Sequence, residues 1–106
     1  MELNKALKFG NLFSIYGKLL TLKQQKILSS YYFDDLGLSE ISEIYGISRQ
    51  AVLDTINKAN EALLKFESVL NVEGNNKKIM QSLGQIQDIT TDKKILSCIE
   101  EIKSLL

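Results

Sequence analysis

Arg49 is the only arginine among thirteen basic side chains, and it lies in the word GISRQAV, residues 46–52. A guanidinium is planar and always charged. It can grip a phosphate or a guanine edge with two parallel bonds, which an ammonium cannot do. Gln50 and Asn57 carry amides suited to an adenine edge. Ser48, just before Arg49, has a side chain that closes the open end of a helix. Lys23, Lys26 and Lys58 supply point charges for phosphates. The chemistry this set offers is recognition of a polyanion.

Bond-making chemistry has few candidates. The chain has no histidine, one cysteine (Cys98) and no acidic triplet at ligand spacing. Imidazole acid–base catalysis and a structural zinc site are thereby excluded. No GxGxxG or GxxxxGK[ST] phosphate loop occurs either. Tyr31-Tyr32 and Asp34-Asp35 are simpler as packing and a polar turn than as a catalytic set. The expectation is a protein that is not an enzyme and needs no metal or cofactor. Cys98, between Leu96 and Ile99, reads as a small buried apolar residue rather than a reactive thiol. A single cysteine cannot form an internal disulfide and fits a reducing cytoplasm. No apolar run reaches the roughly 18 residues of a membrane helix, and the N-terminus lacks the apolar core of a signal peptide. A cytoplasmic protein without membrane insertion is expected.

Net charge is zero: eight basic and eight acidic groups in residues 1–70, and five of each in 71–106. Affinity for nucleic acid leans on phosphate neutralisation, so any such site must be a local patch. Asp54 opposes it unless paired with Lys58 four residues on. Asp34, Asp35, Glu40 and Glu43 offset the flanking Lys23, Lys26, Lys58 and Lys65. For Arg49 the alternative is a surface salt bridge to Glu40 or Glu43. Leu53 suits a thymine methyl or, more simply, a protein contact.

The elements that must position these residues are helical. There is no proline, and apolar residues recur at helical spacing throughout. A first helix over about 2–20 carries two rows. One holds Leu3, Leu7, Phe9, Phe13, Tyr16 and Leu20; the other holds Leu12, Ile15 and Leu19. Such a helix is either central to the core or shared with a second subunit. Thr21 with Gln24 makes a capping box for a second helix, which Asp34 to Gly37 breaks, with Gly37 as the left-handed residue. Ser39 caps a short third helix to about Tyr45. Gly46 makes a tight turn, Ile47 plugs it and Ser48 caps a long fourth helix with the stripe Val52, Ile56, Ala59, Leu63, Phe66 and Leu70. Ser42 is small where the two helices cross. Close crossing, turn, plug, cap and anchor, at these spacings, make a helix-turn-helix. Residues 71–76, NVEGNN, read as the internal boundary. Beyond them come a shorter helix with Ile79, Met80, Leu83 and Ile86, and a last one, opened by Thr90 to Asp92, with Ile95, Ile99, Ile102 and Leu106. That last stripe needs a partner surface in the same chain or in another.

Residues 20–59, LTLKQQKILSSYYFDDLGLSEISEIYGISRQAVLDTINKA, resemble region 4 of bacterial sigma factors. On both sides of this stretch the chain, over about residues 1–70, closely resembles the YlxM-type helix-turn-helix proteins of Gram-positive bacteria and mollicutes. The strongest words are LLTLKQQ, YYFDDLGLSEI and ISRQAV. The resemblance implies an all-α, non-enzymatic helical bundle in two parts: a helix-turn-helix domain with its N-terminal helix over 1–70, and a helical extension over 71–106 that packs on it or on a second subunit. The gene commonly sits beside those of the signal recognition particle, which implies a regulatory or accessory role in that pathway. DNA, the particle's RNA or its GTPase are then the expected partners. The two apolar rows of the first helix and the unpartnered last stripe point, on their own, to a homodimer. The competing expectation is a protein-interaction adaptor on the same scaffold.

Overall fold

Four short polar signals start the helices where the chain needs them. The computed structural model describes residues 3–106. The expected start at Glu2, and the packing of Leu3, lie outside the described residues and side chains. Helix α1 spans Leu3–Tyr16, and a 3-10 turn follows at Gly17–Leu19. Then come α2 (Leu22–Tyr32), α3 (Leu38–Tyr45), α4 (Arg49–Leu70), α5 (Val72–Ile89) and α6 (Lys93–Ser104). No strand occurs among the described residues, so the fold is all-α. Thr21 and Gln24 form the expected box: the Thr21 hydroxyl accepts from the Gln24 amide at 3.2 Å, and the Gln24 side chain accepts from Thr21 N–H at 3.1 Å. Ser48 and Asp92 do the same work, accepting from Ala51 N–H at 3.0 Å and Lys94 N–H at 2.8 Å.

The chain divides into two compact units between residues 70 and 71. In the first, twelve side chains from α1 to α4 build one core; Leu28, Ile41, Val52, Ala59 and Leu63 have no exposed surface at all. The two rows of α1 merge into one broad buried face of Phe9, Leu12, Phe13 and Tyr16, which Leu20 joins from just past the 3-10 turn. Leu7 and Leu19 stay outside it, 56% and 59% exposed. Leu19 leaves its row because the helix tightens to 3-10 there, which changes the side-chain register. That turn is possible because Gly17 has no Cβ; one would meet the Phe13 ring at 2.7 Å.

Two expected caps are corrected. Asp35, not Gly37, takes the left-handed conformation after α2, with φ 54°; a short polar side chain tolerates this better than most. Gly37 is extended and itself precedes α3, donating its N–H to the Glu40 carboxylate at 3.2 Å. Ser39 therefore lies inside α3 rather than capping it. Gly46 holds φ 65° as the turn requires. Ile47 is half-buried against the core rather than fully buried. The α4 stripe is closed from Val52 to Leu63, then opens: Phe66 is half-buried and Leu70 exposed. Polar ties cross this core. The Tyr32 hydroxyl donates to Asn60 Oδ1 at 3.0 Å, and that of Tyr16 donates to the Glu67 carboxylate.

The second unit is a helical hairpin. Asn71 alone separates α4 from α5, at φ 50°. The expected boundary over 71–76 therefore shrinks to one residue, because a single left-handed asparagine suffices to end a helix. Val72 onward is helical and absorbs both Gly74 and Gly84. Leu83 and Ile99 are its buried side chains. Cys98 is exposed, against expectation. Ile99 faces α5, and its neighbour is turned about 100° away from that contact.

Candidate nucleic-acid interface

The helix-turn-helix is formed by α3, the turn at residues 46–48 and the first turns of α4. Tertiary packing pins it from beneath through Ile41, Val52 and Ile56, each 2% exposed or less. What remains outside is set by spacing along α4. Gln50, Asp54, Asn57 and Lys58 are exposed, and Leu53 is half-buried, so Leu53 is less available than its sequence position suggests.

Arg49 is the first residue of α4 and is exposed. Among the described residues it forms no ion pair, with Glu40, Glu43 or any other carboxylate; the ion pair present is Lys77–Glu73 at 3.0 Å, in the other unit. Within that described set the guanidinium has no carboxylate partner, and it lies next to the positive end of the helix. Gln50 is different: its amide donates to Asp54 Oδ1 at 2.9 Å, one turn on. Asp54 is thus held by Gln50, and the pairing with Lys58 that would offset its charge does not occur. This bond removes one amide hydrogen from Gln50's repertoire and leaves its carbonyl available. It also neutralises none of Asp54's charge.

Lys23 and Lys26 come together on the N-terminal half of α2. With Ile27, Tyr45 and Ile47 they line a cavity of about 310 Å³. Tyr45 fixes this corner. Its hydroxyl lies 3.2 Å from Ser30 Oγ and donates to the Lys26 carbonyl at 3.4 Å, tying the end of α3 to α2. The two lysines therefore sit beside Ile47 of the turn, one residue before Ser48. Sequence reasoning missed Tyr45; its one signal is an aromatic directly before the turn glycine. Lys58 is not gathered with this group. At about 100° per residue it lies on the opposite side of α4 from Arg49, with Asn57 between them on the solvent face.

Tyr32 lies behind this surface rather than on it. Burial pushes its hydroxyl above the ordinary 10.0, the bond to Asn60 pulls it back and Tyr31 adds a smaller upward push. It is a neutral packing and hydrogen-bonding group. A second cavity, about 650 Å³, is lined by Leu7, Gly10, Ser14, Tyr31, Phe33 and Leu36 among others, and shares no lining residue with the turn. No helix of the described residues is long and apolar enough to cross a membrane.

The geometry suits a shallow contact with an extended anion: an exposed guanidinium and exposed amides on α4 and two lysines on α2, opposed by Asp54 on α4 and by the exposed Glu40 and Glu43 on α3. Comparison with known proteins agrees with the fold. Residues 3–104 match the family described as "Putative helix-turn-helix protein, YlxM / p13 like". A UPF0122 protein of Oceanobacillus iheyensis is 35% identical, over 97% of this chain and 98% of its own length. One of Halalkalibacterium halodurans is 39% identical, over 98% and 93%. One of a Thermoanaerobacter species is 41% identical, over 86% and 84%.

Proposed function

This chain belongs to the YlxM/p13-like helix-turn-helix family, and on that premise we propose that it is a regulatory protein that binds nucleic acid through α3, the turn and the start of α4. Arg49, one residue inside the Ser48 cap, grips a phosphate or a guanine edge. Gln50 and Asn57 read base edges, and Lys23 and Lys26 hold backbone phosphates. Lys58 acts on the far flank of α4, on a different phosphate. The observation that supports this reading is an exposed Arg49, with no ion pair among the described residues, two positions after Ile47, which lines the Lys23–Lys26 corner. A neutral chain gains little affinity from one such patch, so two linked copies are the working form. The finer reading is a regulatory or accessory role in the signal recognition particle pathway, in the cytoplasm, with DNA or the particle's RNA as the ligand.

Fluorescence anisotropy of a labelled mixed-sequence DNA duplex and of labelled signal recognition particle RNA, titrated at several salt concentrations, tests the proposal. Three lysine–phosphate contacts per copy, or four when Arg49 also grips a phosphate, predict a log–log salt slope of about −3 to −4 for each bound copy. Binding that ignores salt, or that Arg49→Ala leaves unchanged, contradicts it.

A second reading has its own support. Gln50 is engaged with Asp54, and Leu22 and Ile44 are large apolar side chains left exposed beside the motif. On that reading the scaffold docks a protein, such as the particle's GTPase. Co-elution of the two purified proteins without RNA is the observation that would favour it.

A further inference from the structure

We propose that the α5–α6 hairpin is a homodimerisation element whose apolar face docks on the same face of a second copy. The inference rests on the two-copy element of the functional reading, but its test reads association alone, without nucleic acid. The hairpin is amphipathic across its width. On one side Gln87 links α5 to α6, donating to Glu100 at 3.1 Å and accepting from Lys103 at 2.9 Å. At about 100° per residue, Ile79 and Ile86 flank Leu83 on one side, and Ile95 and Ile102 flank Ile99 on the corresponding side. A short connection makes the helices antiparallel neighbours, so these two flanks face the same way, opposite the polar bonds. Ile89 and Leu105 extend the face at its margin.

These six side chains are 39% to 85% exposed. At roughly 180 Å² for a fully exposed residue of this size, they offer about 600 Å² of apolar surface, close to the roughly 800 Å² per partner of a stable interface once a polar rim is added. No charged residue falls within the face by helical position; Lys78, Lys94 and Glu101 stand at its rim, the arrangement interfaces share. Residues 71–106 hold five lysines and five carboxylates, so two copies meet without net repulsion. A face that is apolar, neutral and of this area fits its own copy in a two-fold arrangement.

Light scattering on the purified full-length chain at micromolar concentration should give the mass of a dimer. Ile102→Glu places a charge at the centre of the face and should give a monomer with unchanged helical circular dichroism. Met80→Glu changes a residue on the other side of Leu83 and should remain dimeric. Cys98 provides a readout on the unaltered protein: it is the only cysteine and lies beside Ile95 and Ile102 on the same face. Its alkylation rate should rise on dilution as the face is uncovered. A monomeric wild type, a dimeric Ile102→Glu, or alkylation independent of concentration would overturn the proposal.

Discussion

The twelve core side chains of residues up to 70 come from all four of the first helices and, with Leu20, from the link between α1 and α2, whereas the 36 residues beyond bury Leu83 and Ile99. Both units are built from capped amphipathic helices, so propensity does not distinguish them. What differs is the number of faces each helix can bury. Helix α4 lies among α1, α2 and α3 and closes its stripe on three sides. Helices α5 and α6 have one another, and each keeps an apolar flank. A helix stripe stabilises by the area that neighbours cover. The comparison teaches that the first unit holds itself in shape to present a surface, and the second presents the surface it cannot bury.

The largest effect that tests this contrast is in the core. Leu63→Ala, at a site with no exposed area, should lower unfolding stability by about 2–5 kcal/mol. Ile102→Ala, in the hairpin, should cost a dilute chain under about 1 kcal/mol. Denaturant melts of the two variants compare the units directly, and equal losses would break the contrast. Next, Arg49→Ala should weaken nucleic-acid binding by about 1–3 kcal/mol while leaving the melt unchanged, since the side chain is exposed and has no ion pair among the described residues. Ser48→Ala removes the cap on the same helix and should cost about 1 kcal/mol of stability, with a smaller loss of binding. An effect of similar size that depends on pH concerns Tyr32. Its folded-state pKa is raised, so the stability it contributes is complete below pH 10.0 and is lost as pH rises through the folded value. Tyr32→Phe should cost about 1 kcal/mol at neutral pH by orphaning Asn60 Oδ1. That gap should narrow in melts taken above pH 10.0.

Much of the fold was legible because short-range signals specify it. The Thr21–Gln24 box, the Gly46 turn and the Ser48 cap are each set by residues within three positions of one another, and each formed as read; the opening of the last helix over Thr90 to Asp92 resolves to an Asp92 cap. Errors arose where two local signals competed. Gly37 and Asp35 both suit a left-handed residue, and the Glu40 carboxylate held Gly37 extended. Gly74 and its asparagine neighbours suggest a loop, yet one left-handed Asn71 ended α4 and the rest stayed helical. Burial was legible only as periodicity. The two rows of α1 looked like two faces because sequence gives angular position but not how wide a sector the neighbours cover. Cys98 was misplaced for the same reason, beside a buried residue but not on its face. The candidate interface was legible as a set of residues on exposed polar positions. The pairing of Gln50 with Asp54, and the corner that Tyr45 makes with Lys26, depend on side-chain reach and on a contact between helices 19 residues apart in sequence.

Hydrogen exchange of the full-length chain, with and without bound nucleic acid, tests the division of labour most directly. The account predicts new protection over residues 21–26 and 45–58, and none over 79–105. Protection that appears on the α5–α6 hairpin while the turn and the start of α4 exchange as before would contradict it.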